Sequence, residues 1–111
     1  MDLNDYCKKC YATAKEKKFW DDIPPWHKDR GCLHYYNSKL MLIVSELAEA
    51  CDALREERFG IEEKDTFEDE LADVLIRTFD LCGALGVDIQ RQVDWKMKYN
   101  KTREPKHGVK F

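Results

Sequence analysis

Residues 40–54, LMLIVSELAEACDAL, are the most apolar stretch of the chain, yet they carry two carboxylates one turn apart, Glu46 and Glu49. At 3.6 residues per turn, Leu40, Ile43, Val44, Leu47, Cys51 and Leu54 form one wide apolar stripe. Met41 and Ala48 make the opposite flank apolar as well, and the two glutamates share a side with Lys39, Leu42 and Ala53. A helix apolar nearly all round is central to a fold, covered by several neighbours or by a second subunit. A carboxylate there is costly to bury unless something positive meets it.

The rest of the chain reads as helix too, with no strand alternation to compete. The first helix is expected over about Leu3–Lys18, with Leu3, Tyr6, Cys7, Cys10, Tyr11 and Ala14 at helical spacing. A long loop, FWDDIPPWHKDRGCLHYY, is broken by paired prolines and Gly31, and holds Trp20 and Trp26 beside Phe19, Tyr35 and Tyr36. Loops of this length in compact domains are often functional. The second helix is expected over about Leu33–Phe59 with Gly60 as its stop. The third spans about Thr66–Leu85, with Asp65 or Thr66 as N-cap and Gly86 past its end. The fourth begins after Asp88 and reaches about Thr102, ahead of Pro105. The 111 residues suffice for one domain with one core, an all-α, four-helix-bundle-like unit over 1–111.

The third helix repeats the acidic device. Glu70-Leu71-Ala72-Asp73 echoes Glu46-Leu47-Ala48-Glu49, beside a core stripe of Phe67, Leu71, Val74, Leu75, Thr78, Cys82 and Leu85. A spacing of three puts each pair on one helix face. The short connection, IEEKD, makes the two helices antiparallel neighbours whose acidic faces can meet. A solvated ladder of acids is the plain reading of one such pair. Two matching pairs on adjacent apolar helices favour a hard divalent cation, Mg²⁺ or Mn²⁺, on oxygen ligands. Neither pair is followed by the histidine of a Glu-x-x-His di-iron bundle. Arg77 and Asp80 lie on the same side of the third helix, as a pair supporting that site or a surface pair.

On the fourth helix, Lys96, Asn100 and Arg103 fall on one stripe that can hold phosphate oxygens. A basic last turn complementing the helix dipole is the alternative. Lys39 precedes Glu46 by two turns and either joins the phosphate-binding groups or forms a surface ion pair. Trp20, Trp26, Tyr35 and Tyr36 can stack on a nucleobase, or cap the bundle and fill an interface.

Charge and cysteine usage narrow the partners. Net charge is −3, from 22 acids against 19 bases, which weighs against general nucleic-acid binding. No run approaches the length of a membrane span, and the first residues lack the apolar core of a signal peptide, so a cytoplasmic location is expected. The five cysteines read as free thiols, with Cys51 and Cys82 in the core. Cys7 and Cys10, with His27, Cys32 and His34, match no standard zinc spacing and read as half-buried or surface thiols.

Glu46-x-x-Glu49, twenty intervening residues and Glu70-x-x-Asp73, followed by Lys96-x-x-x-Asn100-x-x-Arg103 and then His107-Gly108 and Lys110-Phe111, resemble the MazG-like nucleoside triphosphate pyrophosphohydrolases. Some members carry a further glutamate where this chain has Ser45. The resemblance covers residues from about 38 onward. It implies Mg²⁺-dependent hydrolysis of a nucleoside triphosphate, canonical or modified, to the monophosphate and pyrophosphate. It also implies catalysis and metal binding by Glu46, Glu49, Glu70 and Asp73, and a homodimer or homotetramer. A nucleotide-binding sensor without turnover and a non-catalytic dimeric interaction module are the rival classes.

Overall fold

A computed structural model describes residues 1–23 and 33–105, and these form four α-helices with no strand among the described residues. The helices are α1 (Leu3–Glu16), α2 (Leu33–Arg55), α3 (Phe67–Leu85) and α4 (Ile89–Thr102). Trp26, His27, Cys32, His107, Gly108, Lys110 and Phe111 lie outside the described residues. No described helix is long and apolar enough to cross a membrane.

The helix starts follow side-chain chemistry. Asp2 caps α1 in a reciprocal capping box with Asp5, Thr66 caps α3 by accepting from the Asp69 N–H, and Asp88 caps α4 by accepting from the Arg91 N–H. Two of the ends differ from the sequence expectation. The second helix stops at Arg55, four residues early, because Glu57 turns left-handed at φ 56°. The Arg58 N–H then donates to the Ala53 carbonyl at 2.9 Å and the Glu57 N–H to that of Leu54 at 3.1 Å, the bonding of a Schellman motif. The first helix ends in the same way, with Lys18 at φ 65° and the Phe19 N–H donating to the Ala14 carbonyl. Gly86 at φ 69° ends α3 as its sequence suggests.

Helix α3 is the centre, packed between α1 on one side and α2 on the other, while α4 touches the rest lightly through α1. The approach is close because the facing residues are small. Ala50 and Ala53 of α2 are buried, as are Cys7 and Ala14 of α1 and Cys82 and Ala84 of α3. A Cβ at Gly83 would lie 2.5 Å from the Cys7 carbonyl oxygen, so glycine there sets the α1–α3 distance. Trp20, Ile23, Tyr36, Ala14 and Ala84 close the bundle end as one cluster.

The wide apolar stripes face the other way. Leu40, Val44, Leu47 and Leu54 of α2 are exposed, with Leu71, Leu75 and Leu85 of α3, and Cys51 is exposed too. The expected core stripe of α2 is therefore the outer face of the chain, and its small-residue flank is the inner one. The reason is geometric: one small-residue seam brings α2 against α3, and a single neighbour cannot also cover a stripe this wide.

Gly83 and Gly86 separate packing from backbone strain. Gly83→Ala should destabilise by about 2 kcal/mol or more, because backbone must shift, whereas Gly86→Ala should cost about 1 kcal/mol, since its Cβ meets nothing and only the positive φ opposes it. Urea denaturation of both variants checks the order.

Candidate metal centre

The carboxylates of α2 and α3 meet because the connection between the helices is pinned. The Phe67 N–H donates to the Arg58 carbonyl at 2.7 Å, Thr66 Oγ1 donates to the carbonyls of Gly60 and Glu63, and the Gly60 N–H donates to Glu68 Oε1. This fixes the register of two antiparallel helices so that Glu49 opposes Glu70 and Glu46 stands near Asp73.

Glu46, Glu49 and Glu70 each offer an oxygen within 4.8 Å of the others. Glu46 and Glu70 are buried at 9% and 6% exposure, and Glu49 is exposed. Glu70 Oε2 is buried without a hydrogen-bond partner. Burial first, and then the hydrogen bond with Glu49 and repulsion from Glu49, Asp73 and Glu46, push the Glu70 carboxyl up to about 7. Burial, then Glu46, raises Asp73 as well. Three convergent carboxylates and an orphaned buried oxygen are a donor set suited to a hard divalent cation.

Asp73 is not within that trio. It lines a cleft of about 390 Å³ with Glu46, Arg77, Asp80, Ile76, Phe19 and residues of α1. A second cleft of about 540 Å³ shares Phe19, Arg77 and Asp80 and continues to Trp20, Lys39 and Leu42. Arg77 and Asp80 engage different partners: Arg77 Nε donates to Glu46 Oε1 at 2.9 Å, and Asp80 Oδ1 accepts from Trp20 Nε1 at 2.8 Å. Arg77 thus answers half of the charge problem posed by Glu46 in the sequence.

Lys39 is drawn into the second cleft. Its ammonium donates to the Phe19 carbonyl at 2.6 Å, lies 4.6 Å from the centre of the Trp20 ring and approaches Asp22 at 4.0 Å. Trp20 is buried, with Lys39 over its ring and Tyr11 edge-on. Phe19 presents the exposed ring at the mouth of both clefts. The left-handed turn at Lys18 decides which of these two aromatics points inward, and nothing in the sequence marks that turn, since lysine stands where glycine would be the signal.

The basic stripe of α4 lies elsewhere. Lys96 sits over Tyr99 at 4.9 Å and Arg103 over the same ring at 6.0 Å. Asn100 Oδ1 is buried without a partner. None of the three lines either cleft of the single chain. Cys7 and Cys82 hydrogen-bond to each other in the α1–α3 interface, and burial pushes the Cys7 thiol up to about 11. Cys10 is half-buried and raised by burial. His27 and Cys32 of the zinc arrangement lie outside the described residues.

A model of the MazG-like family matches residues 39–110. The chain belongs to the MazG-like family. No curated protein and no solved structure matches it. MazG-like membership points to activity of the nucleotide pyrophosphatase type and to general dependence on a metal ion. The match covers α2 from residue 39 onward with all of α3 and α4, and so includes every acidic residue of the centre.

Glu70 gives a pH signature. Its folded-state value of about 7 lies above the ordinary 4.5, so between these values the native state holds a proton that the unfolded chain has released. Stability then falls as pH rises through that window. With a chelator present, the melting temperature should decline from about pH 5 to about pH 7.5. Glu70→Gln should flatten that decline, and Mg²⁺ or Mn²⁺ added at the upper end should reverse it; thermal denaturation followed by circular dichroism measures all three.

Proposed function

We propose that this MazG-like protein hydrolyses a nucleoside triphosphate to the nucleoside monophosphate and pyrophosphate with Mg²⁺, Mn²⁺ being an alternative ion. The observation that carries the reading is the convergence of Glu46, Glu49 and Glu70 about a buried, unpartnered carboxylate oxygen. Glu46, Glu49, Glu70 and Asp73 hold the metal. When bound, Mg²⁺ neutralises the polyphosphate and polarises its phosphoryl oxygens.

The chain's own groups divide the remaining work. Water attacks the α-phosphorus, its oxygen forms the new P–O bond, and the bond to the bridging oxygen of the β-phosphate breaks to release pyrophosphate. Glu49, the exposed member of the trio, orients this water and takes its proton. Glu70, beside it, is held toward its protonated form in the free protein and so eases the repulsion between the two carboxyls. Arg77 stands next to Glu46 with a guanidinium that can turn to phosphate oxygens.

The phosphate-binding stripe of Lys96, Asn100 and Arg103 acts in this reading from a second copy of the chain. The exposed apolar faces of α2, α3 and α4, including Leu40, Val44, Leu47, Leu75, Trp95 and Met97, support a homodimer or homotetramer. Such packing brings a partner's helix against the acidic centre that α4 of the same chain does not reach.

Pyrophosphate release from a panel of canonical and modified nucleoside triphosphates, with and without Mg²⁺, tests the activity. Glu49→Gln and Asp73→Asn should each lower kcat about 10²–10³-fold, the range for losing one group that stabilises developing charge, with helix content unchanged by circular dichroism. Turnover near the wild-type rate in either variant refutes the assignment. If the basic stripe acts across subunits, Glu49→Gln and Arg103→Ala, each inactive alone, should regain part of the activity when unfolded and refolded together. No recovery on mixing places the stripe on its own subunit's site.

A further inference from the structure

Asp80 is an acid in the clefts that the metal centre does not use. It lies seven residues after Asp73, on nearly the same face of α3 and about 10 Å further along the axis. That span is comparable to the distance from the α-phosphate of a nucleotide to the pairing edge of its base. The cleft between the two acids has Ala14, Phe19 and Ile76 among its walls, apolar surface suited to a flat ring.

The carboxylate of Asp80 is oriented before any ligand arrives. Buried Trp20 donates to Oδ1 at 2.8 Å, while Oδ2 accepts no hydrogen bond among the described residues. Burial raises Asp80, and the Trp20 hydrogen bond, Lys39 and Arg77 oppose the rise. A fixed, half-desolvated acceptor discriminates strongly, because a ligand that brings a lone pair instead of a donor leaves two acceptors facing each other.

We propose that Asp80 reads the nucleobase: Oδ2 accepts a hydrogen bond from an exocyclic amine on the pairing edge, so that amino bases of the cytosine or adenine type are favoured over their oxo counterparts. The inference rests on the hydrolase reading for the phosphate end of the substrate. Asp80 is the specificity-determining residue, and Trp20 positions it.

Matched nucleotides that differ in that one group provide the test. Pyrophosphate release is measured on CTP against UTP and on ATP against ITP, with wild type and Asp80→Asn. Binding of CMP and UMP to the wild type is measured by calorimetry as a readout that needs neither turnover nor a variant. The side-chain amide in Asp80→Asn keeps an oxygen for Trp20 and turns its N–H₂ toward the base. The wild type should prefer each amino nucleotide about 10-fold or more, and Asp80→Asn should abolish or reverse the ratio, an inversion that misfolding does not produce. Equal use of the matched pairs by the wild type, or a preference that survives in Asp80→Asn, overturns the role of Asp80 and leaves the hydrolase intact. Tighter binding of CMP than UMP without pyrophosphate release keeps the role of Asp80 and overturns hydrolysis. Neither binding nor release overturns both.

Discussion

Two glutamates at the α2–α3 seam, Glu46 and Glu70, are nearly as buried as the alanines beside them. Every other feature of the centre answers that constraint. A helix interface lined by Ala50 and Ala53 brings backbones close and leaves little surface through which water could solvate a charge. The free chain meets the cost in two ways: Arg77 neutralises Glu46, and a proton held by Glu70 removes one charge from the Glu49–Glu70 pair. Both are replaceable. In the proposed function a divalent cation would take over both roles, displacing the proton of Glu70 and freeing Arg77 from Glu46.

The same seam explains the inside-out distribution of apolar residues. Small side chains are consumed where α3 touches α1 and α2, and the large ones, Leu40, Val44, Leu47 and Leu75, are left outside. A chain built this way has three of its carboxylates brought together but its hydrophobic surface unfinished. Covering that surface with a second copy, as the proposed function does, joins the two deficits, because the basic stripe of α4 is also away from the clefts of its own chain.

The periodic features were legible in the sequence and the directional ones were not. Four helices, the caps at Thr66, Asp88 and Gly86, and two acidic pairs able to meet across a short connection all follow from spacing and local chemistry. Periodicity groups Leu40, Val44, Leu47 and Cys51 on one face but does not say which neighbour that face meets, so an outer stripe read as a core. The left-handed turns at Lys18 and Glu57 were hidden because exposed non-glycine residues take them, closed by the Phe19 and Arg58 N–H bonds to the Ala14 and Ala53 carbonyls rather than marked by propensity. The turn at Lys18 in turn carried the choice between Phe19 and Trp20. Cys7 read as a half-buried or surface thiol because its partner, Cys82, is distant in sequence.

Helix α3 shows why a single rigid element suits a ligand with several chemically distinct parts. Glu70, Asp73, Arg77 and Asp80 recur at intervals of three and four, which keeps all four on one face while spacing them along the axis. The order along the helix is acid, acid, base, acid: Glu70 meets Glu49, Asp73 and Arg77 both face the Glu46 carboxylate, one repelled and one attracted, and Asp80 accepts from the Trp20 indole. Charge type is therefore graded along a fixed scale, with cation-seeking groups at the N-terminal end and a neutral-donor acceptor at the other. A loop could present the same residues, but only a helix clamped on both sides holds their separations constant while the ligand binds.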